Sequence, residues 1–69
     1  MIKEEINEEI AKSRYADMDW EIYTGIEEED TDPCNKEECK ILLSDGKFKT
    51  DQQDFGCWGY DDVIAWAYL

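Results

Sequence analysis

Ile2, Ile6 and Ile10 recur at i, i+4 and i+8, and the positions between them are polar. That spacing lays one apolar stripe along a helix. It predicts a helix over residues 2 to about 15, packed on a core by its isoleucines. Glu4, Glu5, Glu8 and Glu9 fall off the stripe, and Lys12 follows Glu8 by one turn. From Trp20 the period changes. Trp20-Glu21-Ile22-Tyr23-Thr24 alternates and is rich in β formers, which predicts a strand ended by Gly25.

The clearest local signal is Ile41-Leu42-Leu43-Ser44-Asp45-Gly46-Lys47-Phe48-Lys49-Thr50. Asp-Gly supplies the positive φ angles of a two-residue type I′ turn. Counting out from such a turn pairs Ser44 with Lys47, Leu43 with Phe48, Leu42 with Lys49 and Ile41 with Thr50. Side chains alternate between faces, so Ile41, Leu43 and Phe48 are expected on the core face and Leu42 and Lys49 on the other. Phe55-Gly56-Cys57-Trp58-Gly59-Tyr60 is aromatic and glycine-punctuated, which predicts a short strand with a bend. Val63 to Leu69 is one apolar run. Periodicity leaves strand and helix both open there, and Asp61 or Asp62 stands where a helix cap would. The expected fold class is α+β: an N-terminal helix packed on a small antiparallel β-sheet with an Asp-Gly hairpin. Residues 1–69 allow one core and one small acidic domain.

Charge narrows the partners. The chain has 19 Asp and Glu against seven Lys and Arg, a net −12 over 69 residues. Three Trp, four Tyr and two Phe argue against disorder, because unfolded chains of high charge are poor in aromatics. So negative a surface repels nucleic acid and anionic membrane and attracts basic proteins. The charge is uneven. Residues 1–30 hold eleven acids and three bases, net −8, and residues 31–69 hold eight acids and four bases, net −4. Glu4 with Glu8 and Glu5 with Glu9 stack like charges one turn apart, at a cost of a few tenths of a kcal/mol each. A merely solvated helix face does not require that arrangement.

The candidate chemistry is sparse. Glu27-Glu28-Glu29-Asp30-Thr31-Asp32-Pro33 is an acidic loop, but Cys34 and Asn35 stand where a calcium-binding EF-hand loop needs further ligands and a glycine. Cys34, Cys39 and Cys57 are an odd number, Cys34 and Cys39 are spaced more widely than a zinc knuckle, and the chain has no His. They are expected to be reduced and metal-free, in a cytosol. No apolar leader or membrane-length run is present in the sequence. No glycine-rich phosphate loop occurs, and no Ser or Cys stands beside a recognisable base. No catalytic activity and no cofactor are expected.

Trp20, Pro33, Ile41-Leu42-Leu43, Asp45-Gly46, Trp58 and the run Val63-Ile64-Ala65-Trp66-Ala67-Tyr68-Leu69 occur in an order that resembles a family of small phage and prophage domains, domain of unknown function 551. The likeness spans residues 20 to 69. Ala65 stands where the family favours His, and Ala67-Tyr68 where it favours Met-Pro. The resemblance implies a β-rich fold, a phage origin and a strand rather than a helix for the last run. The family has no established activity, so it assigns no catalytic residue. In character the chain is also similar to small acidic phage proteins, such as anti-CRISPR proteins, that mimic DNA.

A mechanism follows from the spacing. Phosphates repeat every ~3.4 Å along each strand of B-DNA, and carboxylates four residues apart on a helix lie about 6 Å apart along its axis. Glu4, Glu5, Glu8 and Glu9 on the helix, with Glu27, Glu28, Glu29 and Asp30 on the loop, are the expected partner-binding residues. The expected partner is a basic nucleic-acid-binding host protein, with a CRISPR effector complex the best motivated. The expected setting is a monomer in the host bacterial cytoplasm. The alternative is a non-enzymatic phage interaction module that docks through an aromatic patch of Trp58, Tyr60 and Tyr68.

Overall fold

A computed structural model describes residues 2–69. Helix α1 covers Lys3–Lys12, and strands β1 (Glu21–Ile22), β2 (Cys39–Leu43), β3 (Phe48–Asp51) and β4 (Val63–Tyr68) follow. The strands form one sheet in the order β1-β4-β2-β3, and every neighbouring pair is antiparallel. The fold is α+β, and the last apolar run is a strand.

The helix is shorter than its apolar stripe. Ile6 and Ile10 are buried, but Ile2 is 60% exposed. Ile2 takes the N-cap position with extended backbone, φ −81° and ψ 162°, so its side chain leaves the helical phase that aims Ile6 and Ile10 at the sheet. At the other end Ser13 turns extended, and its backbone N–H and its hydroxyl both donate to Ile10 O, at 3.0 and 2.6 Å. Serine offers the backbone this local alternative, which stops the helix before the expected residue 15.

Both faces of the sheet are covered. On one, α1 packs Ile6 and Ile10 on Leu42 and Ala65, with Trp20, Ile22 and Phe48 at the margin. On the other, Cys39, Ile41, Leu43, Val63 and Trp66 meet Tyr23 and Trp58. The segments that precede β2 and follow β3 cover this second face and are tied to each other. Gln53, buried at 1% exposure, donates from Nε2 to Asp32 Oδ1 at 2.8 Å. Its carbonyl accepts from Lys36 N at 2.7 Å. Ile64 is skipped where β2 and β4 change register, Leu42 facing Ala65 and Leu43 facing Val63. That bulge puts Val63 on the same face as Trp66.

The register of β2 and β3 differs by one residue from the expected one. Leu42 faces Phe48, Ile41 faces Lys49 and Lys40 faces Thr50. Only Gly46 has positive φ (87°) in this connection, not Asp45. Gly46 N donates to Leu43 O and Leu43 N to Lys47 O, both at 2.9 Å. This is a three-residue loop, a type I turn followed by a left-handed glycine, in place of type I′. The extra residue moves Phe48 to the helix face, where its ring meets Tyr15 at 4.9 Å and Trp20 at 5.7 Å. Ile41 and Leu43 are buried as expected, Phe48 is half-buried on the opposite face, and Leu42 is fully buried rather than outward.

Two other expected strands change. Trp20–Thr24 contributes only Glu21 and Ile22, since Thr24 bonds instead across the acidic loop. Phe55–Tyr60 is no strand. Asp54 and Cys57 form an isolated bridge around a tight turn, with Phe55 at φ 54° and Gly56 at φ 80°. The two positive φ angles of a type I′ turn, expected at Asp45-Gly46, are found here.

Candidate partner-binding surface

Helix residues advance by about 100° each. With Ile6 and Ile10 against the sheet, Glu4 and Glu8 face directly away from it, and Glu5 and Glu9 lie on one flank. Glu4, Glu5 and Glu8 are exposed. Glu9 is half-buried and points at the β2–β3 turn, its Oε2 3.8 Å from where a Cβ on Gly46 would stand. Lys3 and Asn7 occupy the other flank.

Glu27–Glu29 form one turn of 3₁₀ helix, closed by Asp30 in the left-handed region at φ 49°. Thr24 N and Thr31 Oγ1, 3.1 Å apart, close the loop at its base. Glu27, Glu28, Glu29 and Asp30 are all exposed. Glu29 shares a shallow groove with Lys3 and Asn7. The loop acids therefore stand on the Lys3 flank of α1, while Glu5 and Glu9 stand on the opposite one. The expected residues form two arms joined by the Glu4–Glu8 ridge, not one patch.

Four of the eight acids in the chain's second half do different work. Asp32 accepts from Gln53, Asp45 from Lys47 N at 3.0 Å, Asp51 from Gly59 N at 2.7 Å and Asp62 from Ser44 Oγ at 2.8 Å. These carboxylates hold turns. Among the described residues, none of the eight helix and loop carboxylates makes such a bond to the fold. Lys40 Nζ sits over the Tyr15 ring and donates to Thr50 Oγ1, and Lys36 Nζ lies 5.9 Å from the Phe55 ring centre.

Of the aromatic patch, Tyr60 and Tyr68 are 39% and 44% exposed, whereas Trp58 is half-buried on the sheet and meets Tyr23 edge-on at 5.8 Å. Tyr68 Oη accepts from Cys34 N at 2.8 Å. The residue that pattern reading missed is Phe55. It is 84% exposed, at the tip of the turn, with its N–H held by Asn35 Oδ1 at 2.7 Å. Phenylalanine in the left-handed region is strained by roughly 1–2 kcal/mol. The only sequence signal for it was the glycine that follows.

The described residues contain no group of three or more potential metal ligands. Cys34 and Cys57 are exposed and Cys39 is buried, all as free thiols. Burial pushes the Cys39 thiol up to about 11, and the charges of Glu37 and Asp51 add to the effect. Tyr23 is raised as well, by burial first and Asp32 second. A folded value above the unfolded one favours the neutral form. The associated stability is complete below the unfolded value, near 9.0 for the thiol, and is lost as pH climbs toward about 11. We expect the unfolding free energy from urea titrations to fall between pH 8 and pH 10.5, by an amount on the order of 2 kcal/mol, and Cys39→Ala to flatten that fall. An unchanged free energy would contradict it.

No family model, no curated protein and no solved structure matches this chain. No helix among the described residues is long and apolar enough to cross a membrane.

Proposed function

We propose that this protein is a phage-type, anti-CRISPR-like inhibitor that occupies the basic DNA-binding surface of a host nucleic-acid-binding effector, its carboxylates standing in for phosphates. It acts as a monomer in the host bacterial cytoplasm, without catalysis or cofactor. One observation carries the reading. Four carboxylates of residues 31–69, those of Asp32, Asp45, Asp51 and Asp62, are engaged in turns, while none of the eight on α1 and the Glu27–Asp30 loop is bonded to the fold and all of them but Glu9 are exposed. Exposed like charges cost stability that a 69-residue fold can ill spare. A basic partner removes that cost on binding. The two arms flanking the Glu4–Glu8 ridge suit a concave cationic channel better than a flat patch.

The test is capture of the partner from a bacterial host lysate at low and high salt, followed by competition with duplex DNA. The expected partner is a nucleic-acid-binding protein whose retention falls steeply between about 0.1 and 1 M salt, where the Debye length shrinks from ~10 to ~3 Å. Duplex DNA should displace it. A partner that ignores both salt and DNA refutes mimicry. That outcome would favour the second reading, docking through aromatics, which the strained and exposed Phe55 supports. Phe55→Ala should then abolish capture.

A further inference from the structure

The sheet has two outer strands, β1 and β3, and their free edges differ in charge. Lys47 and Lys49 stand at β3, the kind of cation that keeps stray strands off an edge. β1 carries the exposed Glu21 instead. A groove of about 480 Å³ lies between that edge, the acidic loop and α1. Glu21 and Glu29 line it, and the helix side contributes Asn7 and a single base, Lys3.

Unpaired backbone lines the same groove. Tyr23 N donates to Ile64 O at 3.0 Å, and Ile22 is opposite Ala65. Bonding alternates along an antiparallel ladder. Tyr23 and Glu21 therefore bond toward β4, and Ile22 turns its N–H and C=O away from it, toward the edge. Among the described residues neither group has a partner. Two residues on, Thr24 N–H is taken by the Thr31 hydroxyl at 3.1 Å. The loop thus closes the edge at Thr24 and leaves it open at Ile22. An exposed edge of this kind can take up an extended segment as a further strand, held by main-chain bonds and selected by side chains.

We infer that this groove receives an extended, lysine- or arginine-bearing segment of the partner protein, which adds to β1 as a strand through Ile22. The inference rests on the proposed binding of a basic protein and names the form in which that partner enters. Bonds to Ile22 fix the position of the segment. The residue beside the bonded one then stands opposite Glu21, where opposite charges pair and like charges repel. An acidic segment is turned away. So is β1 of a second copy, which would set Glu21 and the Glu27–Asp30 loop close to like charges.

The experiment uses the full chain and a defined probe, so it does not depend on the partner being known. The peptide acetyl-Thr-Lys-Val-Lys-Val-Lys-Thr-amide is titrated into ¹⁵N-labelled protein, and the backbone amide of Ile22 is followed. The expected result is a saturable, millimolar-range downfield shift of that amide proton, with slower exchange against solvent. The same peptide N-methylated at both valines keeps its charge but loses the donors a strand needs, and should bind at least fivefold more weakly. The double variant Glu21→Gln, Glu29→Gln should weaken the unmodified peptide about fivefold, as for two lost exposed ion pairs. Both side chains are exposed, so the fold is kept. Glu5→Gln, Glu8→Gln on the helix should change the affinity less than about twofold. No saturable shift at Ile22, equal binding of the N-methylated peptide, or equal affinity in the Glu21 and Glu29 variant would each overturn the assignment. Protection of Ile22 that grows with protein concentration and without peptide would also overturn it, because the edge would then belong to β3 of a second copy. None of those results touches salt-dependent capture through the helix and loop acids, so the two readings fail separately.

Discussion

Reversing Glu4, Glu5 and Glu8 to lysine together is expected to weaken inhibition of the effector by on the order of 10²- to 10⁴-fold. Each exposed pair is worth roughly 0–1 kcal/mol, and each reversal also introduces a repulsion of similar size against a basic surface. Three such changes multiply. The side chains are exposed and lie away from the face that carries Ile6 and Ile10, so the fold should survive. The net charge falls from −12 to −6 (three changes of +2), and lower self-repulsion should raise the melting temperature. Glu9 is left alone because it is half-buried against the β2–β3 turn. The companion variant reverses Glu27, Glu28 and Glu29 and spares Asp30, whose left-handed backbone suits Asp or Asn better than Lys. Inhibition assays on the two variants, with circular dichroism to confirm folding, check the proposal. If both inhibit as well as the natural chain, carboxylate mimicry is wrong.

The second large effect is on stability. Leu42 is fully buried, on the central strand β2, between Ala65 and the isoleucines of α1. Leu→Ala in such a site costs about 2–5 kcal/mol. A core of this size supplies no more than about 3–5 kcal/mol in all. Leu42→Ala should therefore leave the chain largely unfolded at 25 °C, with tryptophan fluorescence and near-ultraviolet circular dichroism lost together. A variant that still unfolds cooperatively in urea near the natural midpoint would show that α1 does not seal this face.

That both faces of the sheet are covered is the part of the fold least legible in the sequence. The Ile6–Ile10 stripe, the burial of Ile41 and Leu43 and the α+β class follow from spacing alone. The status of Leu42 does not. The segments covering the other face, around Pro33, Gln53 and Trp58, have no repeating apolar period to announce that they pack. The register failed for a narrower reason. Asp45-Gly46 serves either a two-residue or a three-residue turn, and the choice was made by Phe48, drawn to Tyr15 and Trp20 on the helix side. At the candidate surface the identity of the acids was readable, as was the exposure of all of them but Glu9, which is half-buried. Their division into two arms required the orientation of α1 on the sheet.

The strand order also has a consequence for biosynthesis. β4 is the last strand to be made, yet it lies between β1 and β2 and pairs with both. Until Val63–Tyr68 leaves the ribosome, Glu21–Ile22 has no neighbour, and Ile41 and Leu43 have no Trp66 or Val63 to pack on. Completion of the sheet must wait for the β1–β4 contacts, which span some forty residues of chain and form slowly compared with local pairings such as the β2–β3 hairpin. The nascent chain meanwhile carries its densest charge in residues 1–30, which are made before β2, β3 and β4. Like-charged nascent chains on neighbouring ribosomes repel one another, so the acids proposed to imitate phosphate also keep an unfinished sheet from finding the wrong edge.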